Sequence, residues 1–266
     1  MPQTSARLFS EHLAHTSDGS RVHIGFTAIG AGNLGLHVGE NLEEVLENRR
    51  ELESELLGGA REQGFIYLNQ VHGTDIFDAD SRPRIESKGS EPDQLLELAP
   101  VADAASSSQG VPLAIMVADC IPIVFVGEDS RSGSPIIGVA HAGRRGLLDG
   151  VIQREVDDLK ARGAVGLRAW LGPSICGKCY EVPQQMRDES ANLLPEVESL
   201  TSWGTPALDL PAGAGAILVK LLGEGAVSSQ LGACTFENHD VFSHRGHTLN
   251  GEPAGRIAGL VWIEKN

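Results

Sequence analysis

The sequence lacks a long apolar run, is poor in cysteine, and carries few basic residues for its length of 266 residues. Without a stretch of roughly 18 consecutive apolar residues, no transmembrane helix is expected. Four cysteines are too few for a disulfide-rich secreted scaffold. The N-terminal residues also lack the basic-then-apolar order of a secretory signal. These absences favour a cytoplasmic protein whose thiols stay reduced.

The shortage of basic residues gives the chain a strongly negative net charge. There are 21 lysine and arginine residues against 36 aspartate and glutamate residues, a formal net charge of -15. The phosphates of nucleic acids and anionic membranes would be repelled, so neither is expected as a partner. A small anionic substrate is still compatible with this charge, because a local basic pocket can coexist with a negative exterior.

The rest of the composition is that of an ordinary globular protein, with 41% hydrophobic and 21% charged residues. Strand and helix patterns are interspersed, without an internal repeat or a change of composition. The sequence therefore predicts an α/β (α+β) fold in a single domain covering residues 1–266. The polar, turn-rich residues 79–98 are predicted to form a surface excursion.

Three predicted apolar strands end in a side chain that can bind a metal or act as a nucleophile. These side chains are His72 in "NQVHG", Cys120 in "VADCIP" and His141 in "VAHAGRRG". Strand ends of layered α/β proteins often converge on one face, where sites are built. Two imidazoles and a thiolate would hold zinc with a fourth position open. The same residues could instead form a Cys–His nucleophile pair with a spare histidine.

Local patterns around these residues predict their secondary structure. "GFIYLNQV" is predicted to be the strand that ends at His72. Val111–Val126 is predicted to form two strand segments bent at Cys120, because Pro122 cannot donate to a central ladder. A single helix is predicted over "GLLDGVIQREVDDLKARG", directly after His141 and its turn.

The turn "AGRRG" after His141 has the features of an anion site. Gly143 and Gly146 would let the backbone approach a ligand closely, and a helix that begins near Gly146 would offer free N–H groups. Arg144 and Arg145 add positive charge at this position. We therefore expect this turn to bind an anionic substrate.

Two further motifs contain candidate ligands. "CGKC" (Cys176–Cys179) has the spacing of a redox or zinc-ribbon motif. A ribbon requires a second cysteine pair, and only Cys120 and Cys234 remain, so we interpret this spacing as incidental. In "FSHRG", Ser243, His244 and Arg245 are expected to line the substrate pocket rather than hold a second metal.

Seven short motifs of the sequence together resemble the bacterial laccase-domain family. Its members were first called polyphenol oxidases and later recognised as zinc-dependent purine nucleoside phosphorylases. The motifs are "NLGLHVG", "NQVHGTD", "ADA", "ADCIPI", "VAHAGRRG", "LGPSICGKCYEV" and "FSHRG", in this order. The resemblance implies an α/β/β/α layering and zinc ligation by His72, Cys120 and His141, which are then also the catalytic residues. It further implies phosphorolysis of adenosine, inosine, guanosine and methylthioadenosine, and deamination of adenosine.

The resemblance also selects candidates for binding the nucleoside and phosphate. These candidates are Arg144, Arg145, Arg245, Ser243, Asn33, Gln70 and Glu181. Asp119, Glu181 and Asp103 are candidates for acid–base work. The chain departs from the family pattern at two positions, since Arg144 replaces a tryptophan and Ile29 replaces an arginine. We hypothesise that Arg144 compensates for the missing arginine in phosphate binding.

Three alternative functions stay open at this point. A Cys–His amidohydrolase editing peptidoglycan precursors would use Cys120 as nucleophile and His141 as base. A laccase-like polyphenol oxidase would need copper, a weaker candidate than zinc because the sequence contains no His-x-His pair. The third alternative is a non-catalytic nucleotide or partner binder.

Overall fold

A computed structural model describes residues 6–39, 41–58, 64–81, 98–228 and 233–264. Most of the predicted surface excursion, residues 82–97, lies outside the described residues. Among those described, no helix is both long enough and apolar enough to cross a bilayer. The helices are Leu42–Leu57 (α1), Arg144–Asp149 (α2), Val151–Ala161 (α3), Gln184–Leu193 (α4), Leu210–Leu222 (α5) and His244–Asn250 (α6).

Twelve strands are described, and they form two large sheets and one small one. The strands are Leu8–His15 (β1), Arg21–Thr27 (β2), Ile76–Asp78 (β3), Ala104–Ser107 (β4), Leu113–Val117 (β5), Ile121–Asp129 (β6), Pro135–Ala142 (β7), Ala164–Leu171 (β8), Glu198–Leu200 (β9), Pro206–Leu208 (β10), Val227–Ser228 (β11) and Ile257–Ile263 (β12). One sheet has the order β1-β2-β12-β5, and the other has the order β11-β8-β6-β7-β4-β3. The small sheet pairs β9 with β10.

The two large sheets pack face to face because both faces of their central strands are apolar. Successive side chains of a strand point to opposite faces. On β12, Val261 therefore packs between the sheets, whereas Leu260 and Trp262 pack with Leu52 of α1. The first helix thus covers the outer face of the four-stranded sheet.

The six-stranded sheet is covered in the same way on its other face. Val124 of β6 faces the space between the sheets, and its neighbour Phe125 faces outwards. Phe125 belongs to a buried cluster with Val156 of α3 and Leu218 of α5. The order of layers is therefore helix, sheet, sheet, helix. The predicted α/β class and α/β/β/α layering are confirmed.

The helix predicted after the "AGRRG" turn is in fact two helices. Gly150 has a φ of 95°, a left-handed conformation that ends α2 and precedes α3. The prediction of one continuous helix was wrong, because Gly150 was treated as an interior residue. Leu147 of α2 and Val151 and Ile152 of α3 nevertheless belong to the same buried cluster.

The stretch "GFIYLNQV", predicted to be a strand, does not form a continuous one. It makes isolated bridges from Ile66 to Leu113 and from Asn69 to Val101. Its apolar side chains still divide between two cores, with Tyr67 on the α1 side and Leu68 between the sheets. The sequence pattern of this stretch therefore indicates that it is buried on two faces. It does not show that the stretch pairs with its neighbours along a continuous hydrogen-bonded ladder.

A carboxyl group is fully buried beneath α3. Glu155 is 0% exposed, accepts a 2.9 Å hydrogen bond from Ser106 Oγ, and leaves its Oε2 without a partner among the described residues. Burial raises the pKa of Glu155 well above its usual value, although the Ser106 hydrogen bond opposes this. The folded protein therefore retains a proton here that the unfolded chain loses above about pH 4.5.

This buried acid predicts a pH-dependent stability. Because the folded pKa is raised, the free energy of unfolding should fall as pH rises above the unfolded pKa, by as much as about 1.4 kcal/mol per pH unit. Glu155→Gln keeps the acceptor for Ser106 and should remove this slope. Urea unfolding of both proteins between pH 5 and pH 8 measures it. Equal slopes for the two proteins would show that Glu155 is ionised in the fold.

Candidate metal centre

The three residues predicted from strand ends meet in the structure. Their metal-competent atoms all lie within 4.8 Å of one another. Cys120 Sγ is 3.7 Å from His72 Nε2, and the rings of His72 and His141 meet edge to face with centroids 4.6 Å apart. Cys120 lies where the chain passes from β5 in one sheet to β6 in the other, and His141 lies near the end of β7.

A buried carboxylate holds both histidines in place. Asp103 Oδ1 accepts hydrogen bonds from His141 Nδ1 at 2.8 Å and from the backbone N–H of His72 at 2.9 Å. Its Oδ2 accepts from the backbone N–H groups of Val71 at 3.1 Å and Gly73 at 2.6 Å. Because Nδ1 of His141 is used in this way, its Nε2 is the atom available to a metal. Asp103, a candidate acid–base residue in the sequence, is thus a positioning residue.

The electrostatics of the centre favour a thiolate at Cys120. Desolvation acts to raise the pKa of Cys120, but the charge and hydrogen bonds of His141 and His72 outweigh it and lower the pKa to about 6. Desolvation acts to lower the pKa of His141, whereas Cys120 and Asp103 raise it to about 9. A thiolate is the form that binds metal or attacks as a nucleophile.

Two residues of the centre have strained backbones. Among the described residues, His72 (φ 60°) and Asp119 (φ 83°) are the non-glycine residues with positive φ. Such conformations cost about 1–3 kcal/mol each and persist only where the surroundings enforce them. The Asp103 carboxylate enforces the first through the N–H groups of the His72 turn. The second turns the chain so that Cys120, the next residue, faces the histidines.

The carboxylate of Asp119 is occupied by structural hydrogen bonds. Its Oδ1 accepts from Thr235 Oγ1 at 2.6 Å and Ser243 Oγ at 2.7 Å, and its Oδ2 accepts from the backbone N–H of Arg245 at 2.7 Å. These hydrogen bonds hold Asp119, a candidate acid–base residue in the sequence, in its left-handed conformation next to Cys120.

The absence of a side chain at Gly143 is required for the centre to form. A Cβ at this position would lie 2.7 Å from His72 Cδ2 and 3.0 Å from Cys120 Sγ. One turn further on, a Cβ at Gly146 would lie 2.9 Å from the carbonyl oxygen of Gly73. Both glycines of the "AGRRG" turn therefore permit close approach to the His72 turn.

The centre opens into a cavity of about 340 Å³, a size that suits a small-molecule ligand. Three arginines line it, namely Arg144, Arg245 and Arg256, so the cavity is basic although the whole chain is acidic. Tyr180 is also in the wall, with the Arg245 guanidinium 5.4 Å from its ring centroid. Burial, Arg256 and other cations lower the pKa of His37 in the wall, so this imidazole is neutral at pH 7.

The structure places three of the seven predicted substrate-binding residues in the cavity wall and the other four elsewhere. Gln70, Arg144 and Arg245 line the cavity with the three metal-competent residues. The Gln70 amide binds the backbone N–H and carbonyl of Met116, at 2.9 Å and 2.7 Å, which fixes the wall next to the centre.

The other four candidates lie outside that wall. Asn33 closes a local turn through Gly35 and Val38, and Ser243 begins α6 by accepting from Gly246 N–H. Arg145 is exposed next to Asp149, and the Glu181 carboxylate accepts from Trp203 Nε1. Their substrate contacts stay predictions. Sequence reasoning missed His37, Tyr180 and Arg256, which come from three separate regions of the chain and carry no shared spacing signal.

The donor chemistry fits a zinc ion. In a tetrahedral zinc site with bonds of about 2.3 Å to sulfur and 2.0–2.1 Å to nitrogen, sulfur and nitrogen ligands lie about 3.6 Å apart. The distance between Cys120 Sγ and His72 Nε2 is 3.7 Å. The oriented imidazole of His141 completes a set of three ligands, which leaves a position that faces the cavity.

The fold and this centre define a class: layered α/β proteins with a possible metal site of two histidines and one cysteine at a basic cavity. The family model described as multi-copper polyphenol oxidoreductase laccase matches residues 21–264. The chain belongs to this family. It is 37% identical over 254 residues to "Purine nucleoside phosphorylase SCO2081" of Streptomyces coelicolor, covering 91% of this chain and 96% of that one. It is 36% identical over 234 residues to "Purine nucleoside phosphorylase ORF3" of Streptomyces griseus, covering 87% of each.

Solved structures agree with the fold. The Neisseria meningitidis protein NMB0706 has a TM-score of 0.68 at 31% identity, with 96% of this chain and 99% of that chain covered. YlmD of Geobacillus stearothermophilus has a TM-score of 0.74 at 24% identity, with 96% of this chain and 100% of that chain covered. The second likeness bears on the fold alone.

Proposed function

We propose that this chain is a zinc-dependent purine nucleoside phosphorylase. The observation that carries the proposal is a metal-competent centre that shares one 340 Å³ cavity with three arginines. Relatives of 36–37% identity that bear the name purine nucleoside phosphorylase support it further. The substrates would be a purine nucleoside and inorganic phosphate.

In the proposed reaction an oxygen of phosphate forms a bond to ribose C1′ while the bond from C1′ to the purine N9 breaks. The electron pair of that bond leaves with the purine, which takes up a proton, and the products are the free base and ribose 1-phosphate. Arg144, Arg245 and Arg256 would bind the phosphate through charge-assisted hydrogen bonds and stabilise its charge during attack.

His72, Cys120 and His141 would hold the zinc, with Asp103 keeping His141 oriented. When bound, zinc supplies a Lewis acid and lowers the pKa of a water molecule at this position. Copper is the less suitable ion, because multicopper chemistry needs further histidine ligands. Within the described residues, the other candidate cluster consists of thiols and a carboxylate.

The remaining wall suits a purine nucleoside. Tyr180 offers an aromatic face, and the neutral imidazole of His37 can donate or accept a hydrogen bond. Met116 and Val117 form an apolar side that would accept the methylthio group of methylthioadenosine. Adenosine deamination is proposed as a second activity at the same centre. In that reaction water adds at C6, ammonia leaves, and inosine is released.

A second candidate function is that of a cysteine hydrolase. It is favoured because Cys120 contacts a histidine that in turn contacts a carboxylate. Cys120 lies beside His141, whose Nδ1 binds Asp103, an arrangement of nucleophile, base and orienting carboxylate. The Cys120 thiolate would attack an amide carbonyl of a peptidoglycan precursor to form a thioester, and His141 would protonate the leaving amine. Water would then hydrolyse the thioester, which releases the carboxylic acid and regenerates Cys120. Removal of metal separates the candidates, because it should abolish the phosphorylase and spare the hydrolase.

The direct test is incubation of zinc-loaded protein with adenosine, with and without phosphate, followed by chromatography of adenine, inosine and hypoxanthine. Adenine and ribose 1-phosphate should form only when phosphate is present, and inosine should form in both cases. A zinc-loaded protein that forms no product at any phosphate concentration would instead be a binder. Amide hydrolysis that survives chelation would establish the cysteine hydrolase.

Arg144→Ala tests the phosphate site. Loss of a charge-assisted contact should raise the KM for phosphate about 10- to 100-fold and leave the zinc content unchanged. Arg131→Ala is the matched control, because this arginine is exposed, lies outside the cavity wall and is not a substrate-binding candidate. Steady-state kinetics at varied phosphate measure the effect. An unchanged KM in Arg144→Ala would reject the idea that this arginine replaces the one missing at Ile29.

A further inference from the structure

A second cluster of metal-competent side chains lies apart from the proposed catalytic centre. Its members are Cys176, Cys179, Cys234 and Glu237, whose donor atoms all lie within 4.8 Å of one another. The sequence interpretation treated Cys176 and Cys179 as incidental because no second cysteine pair was present. That search missed the carboxylate of Glu237, which stands three residues after Cys234 just as Cys179 stands three residues after Cys176.

Two tight turns present these ligands. In the first, the backbone N–H groups of Cys179 and Tyr180 donate to the carbonyl of Cys176, each at 3.0 Å. In the second, the N–H of Glu237 donates to the carbonyl of Cys234 at 3.2 Å. Each turn thus offers a ligand at its first and fourth positions, the spacing typical of zinc-binding turns.

The backbone holds the two turns against each other. Ser174 and Cys234 form a parallel bridge, in which the N–H of Ser174 donates to Ala233 and the N–H of Thr235 donates to Ser174. The N–H of Cys176 also donates to the sulfur of Cys234 at 3.5 Å. The cluster is therefore preorganised by the backbone bridge between the two turns and by one hydrogen bond from a main-chain N–H to the Cys234 sulfur.

We propose that Cys176, Cys179, Cys234 and Glu237 bind one structural zinc ion. Three thiols would each lose a proton on binding, and three thiolates and one carboxylate would then fill a closed tetrahedral site. No coordination position is left for a substrate, unlike at the centre of His72, Cys120 and His141. This proposal does not depend on the proposed function, because the cluster takes no part in the reaction.

The position of the cluster gives the ion a role in the neighbouring cavity. Tyr180 directly follows Cys179 and lies in the cavity wall. Thr235 lies inside the second turn and donates to Asp119, the strained residue that orients Cys120. A bound ion would cross-link the two turns and so fix a wall residue together with the support of Asp119.

The test is the metal content of the full chain, purified under reducing conditions and supplied with zinc. About two zinc ions per chain are expected. Cys176→Ser and Cys179→Ser should each retain about one ion, at the catalytic centre, and Cys120→Ala should also retain about one, at the cluster. Lys178→Ala is the control, because this exposed residue lies between Cys176 and Cys179 and should retain both ions.

Stability gives a second readout that does not depend on activity. Loss of the cluster ion should lower Tm by about 5–10 °C in Cys179→Ser and in chelated wild-type protein. Added zinc should restore Tm in the wild type but not in the variant. Glu237→Cys should retain the ion, since four thiolates also form a structural zinc site.

Two results would overturn the proposal. One is a wild-type chain that holds a single zinc ion, lost in Cys120→Ala and kept in Cys179→Ser. The other is a disulfide within the cluster, seen as a mass lower by two hydrogens in the folded protein and as two unreactive thiols under mild reduction. A failure of phosphorolysis with two zinc ions bound would count against the proposed function alone.

Discussion

Cys120→Ala is expected to lose the metal of the catalytic centre and with it the activity. The substitution removes the only thiolate among three ligands, and the two remaining imidazoles cannot hold zinc in the same geometry. A bound Lewis acid contributes several kcal/mol to such a reaction, so kcat/KM should fall at least about 1,000-fold. Elemental analysis and the phosphorolysis assay measure the two losses.

The comparison variant is Cys234→Ser, which removes a proposed ligand of the second cluster and should lose the ion of that cluster alone. It should leave the ion held by His72, Cys120 and His141 in place. A Cys120→Ala protein that keeps both its full zinc content and its activity would refute ligation by this residue. A protein that keeps zinc but loses amide hydrolysis would point to a nucleophilic role for Cys120.

Asp103→Asn is expected to weaken metal binding and the fold together. The Asp103 carboxylate accepts two hydrogen bonds at each oxygen, from three backbone N–H groups and His141. An asparagine amide, in either orientation, directs an NH₂ group at two donors. The free energy of unfolding should fall by about 3–5 kcal/mol, and zinc affinity should fall about 10- to 100-fold.

The loss of stability in Asp103→Asn should itself depend on pH. Burial acts to raise the pKa of Asp103, but hydrogen bonds from His141 and Gly73 lower it below the usual value of 3.8. A depressed folded pKa means that the stabilisation is complete above pH 3.8 and is lost as pH falls through the folded pKa. The difference between wild type and variant should therefore shrink in acid.

Asp80→Asn serves as the control for this variant. Asp80 also caps a turn, accepting from Ser107 Oγ at 2.6 Å and Ser108 N–H at 2.7 Å, but it does not touch the centre. It should lower stability without changing zinc affinity, as measured by denaturation and by metal titration. Equal loss of affinity in both variants would mean that Asp103 acts only through general stability.

The sequence was informative about the centre because each of its ligands ends an apolar segment. His72, Cys120 and His141 each stand at the end of an apolar sequence run with a glycine or proline one or two residues further on, and such positions often converge in layered α/β proteins. Fold class and ligand set were therefore predictable from local pattern. The α/β/β/α layering, by contrast, was expected from the resemblance to the laccase-domain family and not from local pattern.

The cavity wall was less predictable because it depends on packing between distant segments. His37 and Arg256 face the same space only because β12 pairs with β2 and β5 in the four-stranded sheet. The left-handed φ of Asp119 likewise depends on acceptance from Thr235, Ser243 and Arg245, which lie more than 100 residues further along the chain. No local signal marks either feature.

The second cluster shows a different limit of sequence reasoning. A search for paired cysteines finds Cys176 and Cys179 and leaves Cys234 without a partner, because Glu237 is a carboxylate and therefore an ordinary surface residue in an acidic chain. The bridge between Ser174 and Cys234 is what makes these residues neighbours. Pairing between remote segments has to be known before the fourth ligand can be recognised.

The most direct test is an anomalous-scattering map, recorded at the zinc edge from crystals of the zinc-loaded chain. A peak bonded to His72 Nε2, Cys120 Sγ and His141 Nε2, with a non-protein ligand on the cavity side, is the result that we predict. A map with no peak among these three atoms, from protein that turns over adenosine with phosphate, would contradict metal-dependent phosphorolysis at this centre.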